Sequence, residues 1–310
     1  MRSNKALDGE LDFNRISFLA PVGPWGTKVG AAYSDLRYQL GTTSFSKLKA
    51  GGNAQVQSLS AMHPFIRSRN TNLLGILQYD QRDFNDVQKT AGTDKRKEAG
   101  VAMYALSGDF RDRLLGGGIN IFNIAHTKGR LSMNTADALA EDLHVTRGDY
   151  EKTNLIFSRL QTVSARMAMY YSYTQQWASK NLDASEKISL GGPSAVRAFP
   201  QGEGAGDEGS IGSVEMRYRL PVEESVPGSM VMTMFYDWGQ SLITKNMTAT
   251  EIAANTRNVR NIYGYGVGLN WEMPRSFYLK TSVAQGASKE ILADHLKRSP
   301  LVYLQLSKYF

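Results

Sequence analysis

Residues 261–273 read NIYGYGVGLNWEM, and their alternation decides how the chain folds. Tyr263, Tyr265, Val267, Leu269, Trp271 and Met273 occupy the odd positions, with Gly264, Gly266, Gly268, Asn270 and Glu272 between them. A period of two is that of a β-strand, whose successive side chains point to opposite faces. One face is large and apolar, the other small and polar, which suits lipid on one side and a wet lumen on the other. A soluble sheet resting on a core alternates in the same way, so the neighbouring segments have to decide between the two.

Immediately upstream, Met230, Met232, Met234, Tyr236 and Trp238 share one face, while Val231, Thr233, Phe235, Asp237 and Gly239 share the other. Further back, Gly212, Val214, Met216, Tyr218 and Leu220 alternate with Ser213, Glu215, Arg217 and Arg219. Continued along the chain, this reading predicts thirteen strands, over 14–20, 27–40, 53–66, 72–87, 98–111, 115–133, 152–162, 166–179, 210–220, 230–242, 260–272, 277–286 and 301–310. Short turns are expected near 22–26, 67–71, 112–114, 163–165, 222–228 and 273–276. Long loops alternate with them at 41–52, 88–97, 134–149, 180–209, 244–259 and 289–299. Tight turns on one rim and long loops on the other are the layout of an all-β, antiparallel transmembrane barrel, and soluble sandwiches do not sort their loops this way. Aromatic residues near strand ends, Trp177, Trp238, Trp271 and Tyr309 among them, fit interfacial girdles.

Composition agrees with this class without demanding it. The 310 residues average a mean hydropathy of −0.35, and no run approaches the ~18 apolar residues of a membrane-spanning helix. Strands that alternate lipid-facing and lumen-facing side chains average out to polar. Cysteine is absent, which excludes disulfides, thiolate catalysis and cysteine metal sites. The net charge of +7 comes from scattered Lys and Arg, so no nucleic-acid partner is expected.

The densest signal lies at 190–209, LGGPSAVRAFPQGEGAGDEG, with glycines at 191, 192, 202, 204, 206 and 209. Such density permits sharp turns and close backbone approach. Val196, Ala198 and Phe199 surround Arg197 with apolar bulk that a solvated loop does not need, so the loop is expected to fold inward and pack.

Val196-Arg197-Ala198-Phe199, with Gly191 and Gly192 before it and Gly202 and Glu203 after it, resembles the signature hairpin of two-partner secretion translocators. These are outer-membrane barrels of the haemolysin-activator and filamentous-haemagglutinin transporter type. The Phe-x-Asp-x-Gly motif of that family has its counterpart in Phe235, Asp237 and Gly239. The resemblance implies that Arg197 reaches into the barrel and pairs with Asp237, locking the hairpin. It also implies a sixteen-stranded barrel in the bacterial outer membrane, with a secreted exoprotein (a haemolysin, haemagglutinin or adhesin) as substrate. Ala198 departs from the pattern, which most often has glycine there. The final strand, ending on Phe310, resembles the signal read by the barrel-assembly machinery. On this reading residues 1–310 are the C-terminal portion of the barrel. The periplasmic POTRA domains, the plug helix and about three leading strands would lie outside the chain, which alone would be incompetent to secrete.

An enzyme is not expected. His63, His126, His144 and His295 are far apart and show no metal spacing, and neither a G-x-S-x-G elbow nor a Walker loop occurs. No cofactor is implied. The rival reading is a passive diffusion pore, which has no use for an inward Arg-bearing hairpin matched to Phe-x-Asp-x-Gly.

Overall fold

Lipid offers no hydrogen-bond partner, so strands in a bilayer must satisfy their backbone groups against one another. In the computed structural model, which describes residues 2–6, 9–40, 50–223, 226–273, 276–288 and 300–308, fourteen strands form one antiparallel sheet in strict sequence order. They are β1 (Arg2–Ala6), β2 (Gly9–Val22), β3 (Thr27–Leu40), β4 (Ala50–Arg67), β5 (Thr71–Gln88), β6 (Thr93–Asp112) and β7 (Gly118–Met133). The second half comprises β8 (Gly148–Thr162), β9 (Met167–Ala178), β10 (Glu208–Arg219), β11 (Ser229–Leu242), β12 (Val259–Met273), β13 (Phe277–Gly286) and β14 (Leu301–Lys308). All thirteen expected strands are present, and β1 precedes them.

The two faces separate as the alternation requires. On β11, Phe235, Asp237, Gly239 and Ser241 are buried while Met232, Met234, Tyr236 and Trp238 are exposed. Exposed apolar side chains continue around the outside: Ile16 and Phe18 on β2, Leu59 on β4, Leu77 on β5, Ile124 on β7, Val283 on β13 and Leu304 on β14. Apolar surface on that scale belongs against a membrane.

The inward face is defined by one connection. Between β9 and β10 the chain runs back over the sheet, and its contacts reach far apart along the strand order. Arg82 of β5 and Lys152 of β8 both bind Glu186, at 2.6 and 2.7 Å. At the other end of the sheet, the Tyr303 hydroxyl of β14 donates to the Phe199 carbonyl at 3.2 Å. One segment touches both β5 and β14 only if the sheet curls around it, so the sheet is a barrel wall and the segment lies in its lumen. Two apolar clusters secure it there. Leu190, Val196, Ala198 and Phe199 pack with Phe235, Ile262 and Ala284 of the wall. Leu182 packs with Ala99, Val101, Leu131, Tyr150 and Ala178.

One expected loop is corrected. The polar run at 88–97 reads as a loop, but β5 continues to Gln88 and β6 begins at Thr93, leaving a connection of only 89–92. Beyond the lipid a strand has no need of apolar residues, and opposite charges such as Asp86 and Lys95 face each other across the ladder. The strand expected from 115 likewise starts at Gly118, because Leu114–Gly116 form a 3-10 turn. Phe310, expected to carry the assembly signal, lies outside the described residues.

Candidate functional site

The hairpin tip is built by turns that only its glycines allow. Leu190 and Gly191 N–H groups donate to the Glu203 carbonyl, and Val196 N–H returns to the Leu190 carbonyl at 2.9 Å. A Cβ on Gly191 would meet the Pro200 carbonyl oxygen at 2.2 Å, so any side chain there would separate the two arms. Gly192 and Gly202 sit at φ +129° and +89°, where L side chains are strained. Glu203 is buried and paired with Arg260 of β12 at 3.1 Å. Val196, Ala198 and Phe199 are buried, as their apolar character requires. Gly239 leaves a shallow space on β11, in which a Cβ would lie 3.2 Å from Leu190 and Val196.

This packing carries Arg197 onto the wall. Its Nε donates to Asp237 Oδ2 at 2.8 Å and its Nη2 to Oδ1 at 2.7 Å, a bidentate fork that only a guanidinium can form. The Arg197 backbone N–H adds a third contact to Oδ2 at 3.1 Å. The guanidinium lies 3.4 Å from the centroid of the Phe235 ring, so Phe235 serves as a cation–π floor. Asp237 is 1% exposed and Arg197 8%, so neither charge is screened by bulk water.

Three further residues complete the cluster without having been singled out from sequence. Ser213 of β10 bridges the pair, donating to Asp237 Oδ1 at 2.7 Å and accepting from Arg197 Nη2 at 3.1 Å. Glu215 accepts from Arg197 Nη1 at 2.6 Å. Its other oxygen accepts from Arg217 at 2.7 Å, and that guanidinium rests over Tyr170. Two arginines and two carboxylates leave the cluster electrically neutral, which lowers the cost of burying it. The signal was available: Ser213, Glu215 and Arg217 are the polar face of a period-two strand, and β10 pairs with β11 so that Ser213 lies opposite Asp237.

The neck of the hairpin is tied with the opposite polarity. Here Asp183 and Glu186 of the connection meet cations of the wall. Glu186 binds Arg82 and Lys152, and Asp183 binds Lys97 at 2.6 Å. Asp207, wholly buried, accepts from the Leu182 and Lys245 N–H groups and from Lys187 Nζ. The hairpin therefore spans the lumen, with a cationic tip on β10–β11 and an anionic neck on β5, β6 and β8.

The described histidines serve local structure. His63 bonds Thr27, His126 bonds Thr153 and His144 bonds Glu251. Among the described residues no cluster of His, Asp and Glu could hold a metal.

Comparison with known proteins agrees with this geometry. Residues 5–271 match the profile of the haemolysin secretion/activation protein family ShlB/FhaC/HecB. The heme/hemopexin transporter protein HuxB of Haemophilus influenzae strain 86-028NP is 25% identical over 284 residues, covering 89% of this chain and 48% of HuxB. The structure of CdiB from Escherichia coli superposes with a TM-score of 0.72 at 18% identity, over 96% of this chain and 52% of that one. CdiB from Acinetobacter baumannii gives 0.68 at 18% identity, over 96% and 50%. The chain thus spans about half the length of the relatives it matches.

Proposed function

Because the chain belongs to the haemolysin secretion/activation protein family, we propose that it forms the lumen wall and hairpin latch of a translocator that exports a large exoprotein across the bacterial outer membrane. Its occupation is conduction of a polypeptide, not catalysis. The observation that carries this reading is the Arg197 fork on Asp237, inside a lumen that the hairpin fills. A passive pore gains nothing from a buried, charge-compensated plug on its own wall. A conduit that must be shut when idle does.

The physical logic is that of a latch with two holding terms. Apolar packing of Val196, Ala198 and Phe199 is non-directional and tolerates sliding. The ionic cluster is directional and holds one position, because a guanidinium fork loses its hydrogen bonds within a fraction of an ångström of displacement. Outer membranes have no ATP, so folding of the emerging substrate outside is the implied driving force. Arg197, Asp237 and their neighbours would then set the resting position of the hairpin. The exoprotein and the barrel-assembly machinery are the partners this reading requires.

The test is complementation. A strain lacking the natural gene that carries this chain is supplied with that gene, and the exoprotein is measured in the medium alongside uptake of a small polar antibiotic. Restored export without raised uptake supports the translocator. Raised uptake with no protein exported would favour the diffusion pore.

A further inference from the structure

Many cations among the described residues are held by carboxylates. Arg82, Arg130 and Arg159 each have one within 2.8 Å. A group on the lumen face breaks that pattern. Lys28 of β3, Arg67 of β4, Arg111 of β6, Arg219 of β10 and Lys280 of β13 are exposed, as is Arg166 in the β8–β9 turn. Among the described residues none of them has an ion-pair partner.

Strand pairing fixes which way they face. Arg219 has the parity of Glu215, and Lys280 that of Ala284, whose side chain packs on Phe199. Arg111 has the parity of Lys97, which binds the hairpin neck. Lys28 is opposite Met62, four residues along β4 from Ser58, which faces Asp80. Arg67 is opposite Asn72, on the Asp80 face of β5. These five strand-borne cations therefore point into the lumen. Each strand-borne cation lies within about three residues, or ~10 Å, of a short turn. Short turns mark the periplasmic rim of such barrels. Arg166 and Arg219 line a cavity of about 420 Å³ at that mouth, together with Glu272. The carboxylates near this rim include Glu272 and Asp109 on the wall, Glu223 in the β10–β11 turn and Glu215, which Arg197 and Arg217 hold; Asp109 already accepts two bonds from Asn72.

We propose that this cationic collar at the periplasmic mouth captures acidic segments of unfolded polypeptide and feeds them toward the latch. The proposal rests on the export reading and adds the charge class of the segment that enters. Unpaired cations around a low-dielectric opening focus an attractive field on an incoming anion. An extended acidic chain can touch several strands at once, whereas membrane lipid cannot reach side chains that point away from it.

The probe is a fluorescein-labelled unfolded peptide of alternating Glu and Ser, with a Lys/Ser peptide as its counterpart. Binding to the complete natural protein in zwitterionic detergent is followed by anisotropy. The acidic peptide should bind and the basic one should not, with binding lost between about 0.05 and about 0.5 M salt. Arg111→Gln/Arg219→Gln/Lys280→Gln should weaken it at least about tenfold, since three of the collar charges are removed. Arg111→Glu/Arg219→Glu should shift preference toward the basic peptide. Asp237→Ala should lose export yet keep peptide binding, which separates the collar from the latch. Equal binding of both peptides, or binding unchanged in the triple variant, would overturn the collar even if export is intact. Phosphatidylglycerol retained by the natural protein and lost from the triple variant, with no peptide bound, would assign these cations to lipid and also overturn it.

Discussion

Ala198 and Gly264 share one space. A Cβ on Gly264 would lie 2.4 Å from that of Ala198 and 2.7 Å from the Gln285 carbonyl oxygen. The alanine at this hairpin position is therefore accommodated by a missing side chain on β12. It also lacks the positive φ that would strain it. Gly264→Ala should displace the hairpin and reduce export severely. Adding Ala198→Gly should restore part of it, because the Gln285 contact remains. No rescue would mean that the hairpin does not press on β12 at this point. At Arg197 the relevant quantity is a buried pair: removing one partner costs about 3–5 kcal/mol, against ~0–1 for a surface pair. Arg197→Lys keeps the charge but loses the fork and the Glu215 contact, so an intermediate export level is expected in the complementation assay.

Strand signals were legible because lipid and lumen enforce a period of two on every crossing residue. Where that constraint ends, so did legibility. The 89–92 connection hides in a polar run that is strand on both sides. Two short helices in the long loops were also missed, α1 (Ala136–Glu141) and α2 (Ala249–Ala253). The second carried a readable signal, since Thr248-x-x-Glu251 is a capping box. Glu251 does more than cap. The hydrogen bond from His144, and then those from the Thr248 amide and hydroxyl, hold its carboxyl down at about 2 and join the two loops. A carboxyl depressed on folding contributes stability that is complete above its unfolded value of ~4.3 and fades as pH falls through the folded one. Amide exchange at Thr248 should therefore stay protected at pH 4 to 5, lose protection as pH approaches about 2, and become pH-insensitive in Glu251→Gln. The same acid loss of protection in Glu251→Gln as in the natural protein would contradict this assignment. The neck makes a parallel expectation. Glu186→Gln should leave Arg82 and Lys152 without their shared carboxylate and loosen the hairpin root. Faster proteolysis within 179–207 in Glu186→Gln, with the barrel intact, would show that.

Across the whole molecule, one connection of a meandering sheet is turned inward and fastened at both ends with opposite charge. The inward fold of the tip was legible because a charge set among apolar and glycine residues has few places to go, while its partner Asp237 came from the family resemblance. The neck was not, because Asp183 and Glu186 look like any solvated loop until the curl of the sheet brings Arg82, Lys97 and Lys152 against them. The wall thus supplies both the membrane face and the seat on which the hairpin tip rests. A double-mutant cycle on the latch tests this most directly, with exported exoprotein measured for the natural protein, Arg197→Ala, Asp237→Ala and the double variant, each verified as an assembled barrel. Each single variant should lose most export, and the double should be little worse than either, because the lost interaction is shared. Losses that multiply strictly in the double variant would mean that Arg197 and Asp237 act separately and that no latch joins them.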